Sequence, residues 1–238
     1  MAEKKKIVVL TGAGISVESG LATFRDANGL WDNYPVMEVA SHTGWVNNPN
    51  YVNDFYNMLR TKYRDVRPND AHLLLHELEE KYDVTVVTQN VDNLHEQAGQ
   101  TKVIHLHGQM MRMCSERDVE NPRFWIELPH EGWGPSGMEI PHDTLGEDGA
   151  RVRPYIVFFE EAVPNMYDAV QVAQQADIFI IIGTSLNVYP AAGLVQYVPH
   201  GTPVYLIDPK GVGTHGISNL THLECGASEG MRRLMEIL

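Results

Sequence analysis

The chain has 238 residues, of which 18 are Lys or Arg and 31 are Asp or Glu, so its formal net charge is -13. This length suits one large domain, with or without an insert, and the hydrophobic content of 43% is that of an ordinary globular protein rather than a disordered one. The acidic balance argues against a protein that holds nucleic acid through its phosphates, and no apolar run is long enough to cross a bilayer. Neither nucleic acid nor a membrane is therefore expected as a partner.

The cysteine content indicates a reducing compartment. Cys114 and Cys225 are the only cysteines, too few for a disulfide framework or a thiolate zinc site. The N-terminal residues lack the long apolar region and the cleavage site of a signal peptide. A cytoplasmic location is expected.

Apolar runs that alternate with helical patterns predict an α/β fold with a parallel sheet flanked by helices. Most of the runs are continuous rather than alternating, as in strands that are covered on both faces. The predicted strands are residues 6–11, 84–88, 103–106, 155–159, 178–182 and 204–207. Helices are predicted from Asp70, which would cap the first of them, over about 165–175, and from Ala227 to the C-terminus.

One segment breaks this alternation. Residues 112–153 are polar, rich in proline and glycine, and without a helix or strand period. A structureless loop of this length is improbable inside a compact domain, so the segment is predicted to be an insert or small subdomain.

The first strand ends in a glycine turn of sequence TGAGIS, residues 11–16. Glycines after a first parallel strand let backbone N–H groups approach a pyrophosphate. The third glycine of the dinucleotide fingerprint is replaced by Val17. Taken alone, the motif is equally compatible with a tight strand-to-helix turn.

Four further segments follow in a distinctive order. They are FRDANGLW at 24–31, TQNVDNLH at 88–95, VIHLHG at 103–108 and GTSLNVYPAA at 183–192, and the last three stand at strand ends, where open α/β sheets bind ligands. With the glycine turn, they make the chain resemble the sirtuins, the NAD-dependent protein-lysine deacylases. The resemblance runs from about residue 6 to the C-terminus apart from 112–153. It is greatest to the short bacterial enzymes related to the desuccinylase branch.

The resemblance implies a Rossmann-like parallel-sheet domain with a smaller inserted domain. The larger part would span about 1–30, 69–108 and 155–238, and the smaller about 31–68 and 109–154. It also implies NAD as cofactor and an acyl-lysine protein or peptide as substrate, with nicotinamide and O-acyl-ADP-ribose as products.

The same resemblance assigns a catalytic group of His107, Asn90 and Asp92. His107 would be the base, because an imidazole titrates near working pH and can accept a ribose hydroxyl proton. A histidine at a strand end can equally be a structural group, and the following Gly108 together with the family pattern favours the base. His105 is interpreted as structural. Asn90 and Asp92 would hold the nicotinamide ribose, a water molecule and the carboxamide.

Binding residues carry over in the same way. The predicted cofactor-binding residues are Gly12, Ala13, Gly14, Ile15, Ser16, Phe24, Arg25, Asp26, Trp31, Gln89, Asn90, Val91, Asp92, Gly183, Thr184, Ser185, Asp208 and Ala227. Asp208 would accept the adenosine ribose hydroxyls and disfavour a 2′-phosphate, which selects NAD over NADP. The predicted substrate-binding residues are Val157, Phe158 and Tyr56.

The chain departs from the family pattern at its zinc site. Most sirtuins bind a structural zinc through four cysteines, whereas Cys114 alone falls in that region, so no zinc is expected. His130 and His142 could join Cys114, but their spacing has no zinc signature.

Two further departures concern the substrate. Glu160 stands where relatives have glycine, which favours a cationic or a non-protein substrate. The desuccinylase pattern Tyr-x-x-Arg is matched at Tyr56, but its fourth position is Leu59, and Arg60 comes one residue late, turned by about 100° on a helix. Succinyl or malonyl specificity is therefore not supported.

Two other functions stay open on the sequence. The same pocket would serve an NAD-dependent ADP-ribosyltransferase or an NAD hydrolase. A non-catalytic module that senses a nucleotide or binds a partner is the third possibility, against which the presence of Asn90, Asp92 and His107 argues.

Overall fold

The protein is described here from a computed structural model, which covers residues 3–23, 34–212, 217 and 219–238. Within these residues, six parallel strands form the central sheet: β1 (Lys6–Thr11), β2 (Asp83–Thr88), β3 (Val103–His105), β7 (Ile178–Ile182), β8 (Val204–Ile207) and β9 (Leu220–Leu223). Their spatial order is β3-β2-β1-β7-β8-β9. This is the strand order of the Rossmann fold, and it confirms the predicted fold class.

The smaller sheet lies outside this arrangement. It consists of β4 (Gly108–Ser115), β5 (Ile126–Glu127) and β6 (Val152–Ile156), which pair antiparallel in the order β5-β4-β6. The strand predicted at 155–159 in the parallel sheet is therefore a wrong prediction on two counts. The observed strand spans Val152–Ile156, and it belongs to the antiparallel sheet. A continuous apolar run has the same appearance whether it is buried in a parallel or an antiparallel sheet, so the pattern did not distinguish the two.

Helices cover both sheets. The α-helices in the described residues are α1 (Val36–Val39), α2 (His42–Asn47), α3 (Pro49–Tyr63), α4 (Asp70–Leu78), α5 (Leu94–Gln97), α6 (Met166–Ala173) and α7 (Ala227–Ile237), and the 3-10 helices are Ala13–Ser19, Pro122–Phe124 and Ala191–Tyr197. No helix in this part of the chain is long and apolar enough to span a membrane.

The cap of α4 differs from the predicted one. Asn69, not Asp70, caps the helix, with its side chain accepting a hydrogen bond from Ala71 N at 3.0 Å. Asp70 is the first helical residue instead, where its negative charge faces the positive end of the helix dipole.

The core explains why β1 is apolar throughout. Ile7 and Val9 point to the face covered by α4 and α7, whereas Val8 and Leu10 point to the face covered by α6 and the 3-10 helix Ala191–Tyr197. A strand that is buried on both faces needs no polar residue until it ends. The first polar positions therefore fall at the carboxyl edge of the sheet, where the candidate site lies.

Helix α3 packs in a separate core cluster with β4 and β6 and holds the insert in place. The Arg60 guanidinium is fully buried, and its Nε donates to Met138 O at 2.9 Å. The Asn57 side chain makes two hydrogen bonds with the backbone of Ile140. Its Nδ2 donates to Ile140 O at 3.1 Å, and its Oδ1 accepts from Ile140 N at 3.0 Å. Because these bonds involve backbone groups of the insert, they hold that otherwise irregular segment against the helix.

Candidate active site

A cavity of about 720 Å³ opens at the carboxyl edge of the parallel strands. Most of the predicted site residues line it: Gly12, Ala13, Gly14, Tyr56, Gln89, Asn90, Val91, His107, Val157, Phe158, Gly183, Thr184, Ser185, Asp208 and Ala227. Ile15, Ser16 and Asp92 are not among the lining residues. Phe24, Arg25, Asp26 and Trp31 lie outside the described residues.

Two glycine turns meet at the point where the strand order reverses between β1 and β7. Gly14 N donates to Gly183 O at 2.8 Å, and Gly183 has a φ of 61°. A Cβ on Gly183 would lie 2.4 Å from Ile15 N, and one on Gly14 would lie 2.5 Å from Gly183 Cα. Both positions therefore require glycine, and the ligand-binding crevice of an open α/β sheet lies beside them.

A chain of hydrogen bonds holds Asn90 in the floor of the cavity. Its Nδ2 donates to Gly12 O at 3.1 Å and to Ser16 Oγ at 3.2 Å, and Ser16 Oγ donates to Asp92 Oδ2 at 3.0 Å. Both amide hydrogens of Asn90 are thus engaged, which leaves its Oδ1 as the acceptor for a bound group. Burial raises the pKa of the Asp92 carboxyl, although hydrogen bonds from Leu94 N and Ser16 Oγ oppose the rise.

His107 lies just beyond β3 and is partly buried. Its Nδ1 is 2.9 Å from Gln89 O, and because a carbonyl oxygen only accepts, Nδ1 carries the proton. Nε2 is then the basic nitrogen of the neutral ring, and burial lowers the pKa of His107 below its ordinary value of 6.5. The residue has the tautomer and the protonation state of a general base at neutral pH.

Gly108 supports that position of His107. Its φ is 86°, and a Cβ there would lie 2.1 Å from Tyr155 O. The chain crosses from the large sheet into β4 at this glycine, so no other residue fits the crossing. His105, by contrast, is 5% exposed and bonds Glu96 Oε1 through Nε2 at 2.6 Å, as a structural histidine would.

One wall of the cavity is apolar. Tyr56 and Leu59 come from α3 and Phe158 from the segment after β6, and each is less than 5% exposed. Arg60, the next residue on the helix, points into the insert instead. The buried cation behind Phe158 is Arg153, which Glu161 neutralises at 2.6 and 3.0 Å. No unpaired Lys or Arg from the described residues faces this wall.

Glu160 occupies a position that favours glycine. Its φ of 76° lies in the left-handed region, which costs an L-residue with a Cβ about 1–2 kcal/mol. Hydrogen bonds from Thr43 N at 2.9 Å and Thr43 Oγ1 at 2.8 Å to its Oε2 offset part of this cost. Glu160 also lines the cavity.

Several residues that the fold brings to the mouth of the cavity were not predicted from the sequence. They include Asn187, Val188 and Tyr189, which belong to the quoted segment at 183–192, together with Phe159 and Lys210. The motif itself marked the first three, but nothing in the sequence indicated which of its side chains face the cavity.

The described residues do not fit a structural zinc. No group of three or more His, Cys, Asp or Glu side chains among them is arranged to hold a metal ion. Cys114 is buried, with its Sγ near the carbonyl oxygens of Arg153 and Pro154, and His142 pairs with Asp54. His130 instead packs against the ring of Trp133, with a centroid distance of 4.6 Å.

Comparison with known proteins gives a consistent result. The Sir2 family model matches residues 12–190. A protein of Bacteroides thetaiotaomicron named NAD-dependent protein deacylase is 53% identical over 234 residues, 98% of each chain. One of the same name from Helicobacter pylori is 44% identical over 231 residues, 97% of this chain and 96% of the relative.

Solved structures agree over the same length. A Sir2 homologue in complex with NAD superposes with a TM-score of 0.84 at 33% identity, covering 99% of this chain and 90% of the other. A Sir2 variant bound to a deacetylated peptide and 3′-O-acetyl ADP-ribose superposes with a TM-score of 0.78 at 31% identity, covering 99% and 94%. These similarities extend over nearly the whole chain.

Proposed function

The chain belongs to the Sir2 family and is an NAD-dependent protein deacylase, and we propose that His107, Asn90 and Asp92 form its catalytic group. The observation that carries this assignment is the state of His107, whose Nδ1–H donates to Gln89 O while Nε2 has no hydrogen-bond partner in the described part of the chain. Such a ring accepts a proton from a hydroxyl group that is brought to Nε2.

The residues of the cavity suit NAD. When bound, NAD supplies an ADP-ribosyl group whose C1′ takes the acyl oxygen of the substrate as nicotinamide leaves. The close turns at Gly12–Gly14 and Gly183 give its diphosphate room beside the backbone. Asp208 follows β8 and would accept hydrogen bonds from the adenosine ribose, where its charge disfavours the 2′-phosphate of NADP.

The catalytic residues have different tasks in this proposal. Asn90 Oδ1 orients the nicotinamide ribose or a water molecule, since its amide hydrogens are held by Gly12 and Ser16. Asp92 lies behind Ser16 and accepts from its hydroxyl, so it acts on the ribose through the orientation of Ser16 and Asn90. His107 Nε2 takes the proton of a ribose hydroxyl, so that the hydroxyl oxygen can attack the carbon of the transferred acyl group.

We also propose that the enzyme prefers uncharged acyl groups. Tyr56, Leu59 and Phe158 form an apolar wall, and Arg60 is already bound to the backbone carbonyl groups of Met138 and Met110. No Lys or Arg among the described residues is placed to pair with a succinyl or malonyl carboxylate on this wall, so desolvation of such a group there would be costly. An acetyl or longer aliphatic group has no such cost.

The proposed function is tested by mass spectrometry of the protein with NAD and matched acetyl-, butyryl- and succinyl-lysine peptides. We expect NAD-dependent loss of the uncharged acyl groups with the matching O-acyl-ADP-ribose, and kcat/KM at least about tenfold lower for succinyl-lysine. Leu59→Arg should raise the succinyl rate, and Leu59→Met, which adds no charge, should not.

Two outcomes would contradict the proposal. Release of nicotinamide without loss of any acyl group would favour ADP-ribosyl transfer or NAD hydrolysis on the same fold. Equal efficiency with succinyl- and acetyl-lysine would refute the acyl preference and leave the deacylase activity standing.

The cellular setting is proposed on separate grounds. Cys114 and Cys225 are both free thiols, which supports a reducing, cytoplasmic location. The net charge of -13 supports the absence of a nucleic acid or an anionic membrane among its partners. The separate parallel and antiparallel sheets support a division into a large part and a small part along the bounds predicted above.

A further inference from the structure

A carboxylate stands at the rim of the cavity in a strained backbone conformation. Glu160 is exposed, lines the cavity and has a φ of 76°. A non-glycine residue that persists in this region is a reason to look for a function of its side chain. Glu160 is therefore a candidate for a role in the deacylase reaction proposed above, on which the following inference rests.

The side chain of Glu160 is held in one orientation. Its Oε2 accepts from both Thr43 N and Thr43 Oγ1, at 2.9 and 2.8 Å, whereas Oε1 has no hydrogen-bond partner among the described residues. The two bonds lower the pKa of the Glu160 carboxyl, so it is ionised at neutral pH. An anionic oxygen is thus presented in a fixed direction.

The negative charge of Glu160 has no cationic side chain of Lys or Arg beside it among the described residues, in contrast to the charge of Glu161. Glu161 forms a bidentate pair with the buried guanidinium of Arg153 and also contacts His42 Nδ1 at 3.1 Å. No Lys or Arg in the described residues pairs with Glu160. The carboxylate is therefore available to a cation that arrives with the substrate.

Exposed aromatic rings line the same cavity. Phe159 is 40% exposed and Tyr189 is 72% exposed. The faces of aromatic rings attract the cationic heads of Lys and Arg, and their edges pack against the aliphatic stems of these side chains. Together with a fixed carboxylate, such rings favour a basic side chain over an acidic one.

We propose that Glu160 is a specificity-determining residue, which selects acyl-lysine substrates that carry a Lys or Arg within two residues of the acylated lysine. The acylated lysine itself is neutral, so the attraction acts on the flanking residue. The overall charge of -13 adds a weaker, long-range preference for the same cationic peptides.

The test compares acetyl-lysine peptides that differ only in having Arg, Ala or Glu at one flanking position, scanned over the two residues on each side. At the best position, wild-type kcat/KM should be about two- to fivefold higher with Arg than with Ala, the range of an exposed ion pair. The preference should shrink when salt is raised from about 20 to 500 mM, because counterions screen it.

Variants separate charge from structure. Glu160→Gln keeps an oxygen that accepts from Thr43 but removes the charge, so the Arg-to-Ala ratio should fall most of the way to one, with only the weak effect of the overall charge remaining. Glu160→Lys should reverse the preference toward the peptide with Glu. Thr43→Val removes one of the two hydrogen bonds without changing the charge, and should reduce the ratio less than Glu160→Gln does.

The matched control is Glu131→Gln, which makes the same change in net charge on the exposed insert and should leave the ratio as in the wild type. An equal ratio in wild type and Glu160→Gln, or no preference at any position, would overturn this inference while deacylation continues. If none of the peptides is deacylated, both this inference and the proposed function are overturned.

Discussion

At His107 the proposed reaction depends on one ring nitrogen being unprotonated. Burial lowers the pKa of this histidine below 6.5. Since the base works in its neutral form, activity is retained at and above neutral pH and is lost as the pH falls through the lowered pKa. We therefore expect the acid limb of the profile of kcat/KM against pH to have its midpoint below 6.5.

The matching variant is His107→Ala, which should lower kcat by about 10²- to 10⁴-fold and remove that limb. Its affinity for NAD, measured by calorimetry, should change little. His142→Ala is the control, since His142 is exposed and pairs with Asp54 in the insert. A midpoint clearly above 6.5, or a variant as active as the wild type, would refute the assignment of the base.

At the scale of elements, α3 serves both the cavity and the insert. Tyr56 and Leu59 face the cavity, whereas Asn57 and Arg60 face the insert. Burial lowers the pKa of Arg60 to about 10, so the guanidinium is still charged at neutral pH. It is held by Met138 O, Met110 O and Asn57 Oδ1, with Nε and both terminal nitrogens engaged.

We predict that Arg60→Met lowers the free energy of unfolding by about 2 to 3 kcal/mol, because buried carbonyl groups lose their donors. The measurement is the urea midpoint, followed through tryptophan fluorescence of Trp125 and Trp133 in the insert. Arg64→Met, on the exposed end of the helix, should change the stability by less than about 0.5 kcal/mol. An unchanged or raised stability in Arg60→Met would show that desolvation of the charge outweighs its hydrogen bonds.

At the scale of the whole molecule, we predict that the folded protein, including its insert, is stable without zinc. The small core of the insert consists of Met113, Trp133, Ile140 and Val152, and hydrogen bonds from α3 fasten it to the rest of the protein. The purified protein should contain well under one zinc per chain, and EDTA should leave its thermal midpoint unchanged. Stoichiometric zinc, or a clear loss of stability on chelation, would contradict this prediction, since a structural zinc site contributes to folding directly.

Five of the six predicted strands form the parallel sheet, with ends within a residue of those predicted. These strands were predictable because their apolar runs reflect burial on both faces, which is a local property of the sequence. β9 was missed because Leu220–Leu223 is a short edge strand that includes Thr and His. The cavity residues were predictable to the extent that they belong to contiguous motifs at strand ends.

What the sequence determined by itself is thus the α/β class and the segments that meet at the carboxyl edge of the sheet. The tertiary structure alone decided the pairing of β6 with β4, the turn of Arg60 away from the cavity and the left-handed conformation of Glu160. Each of these depends on contacts between residues far apart in the chain: β6 on β4, Arg60 on Met138, and Glu160 on Thr43. Local patterns report burial and backbone preference, whereas the direction of a side chain is set by the partners that folding brings to it.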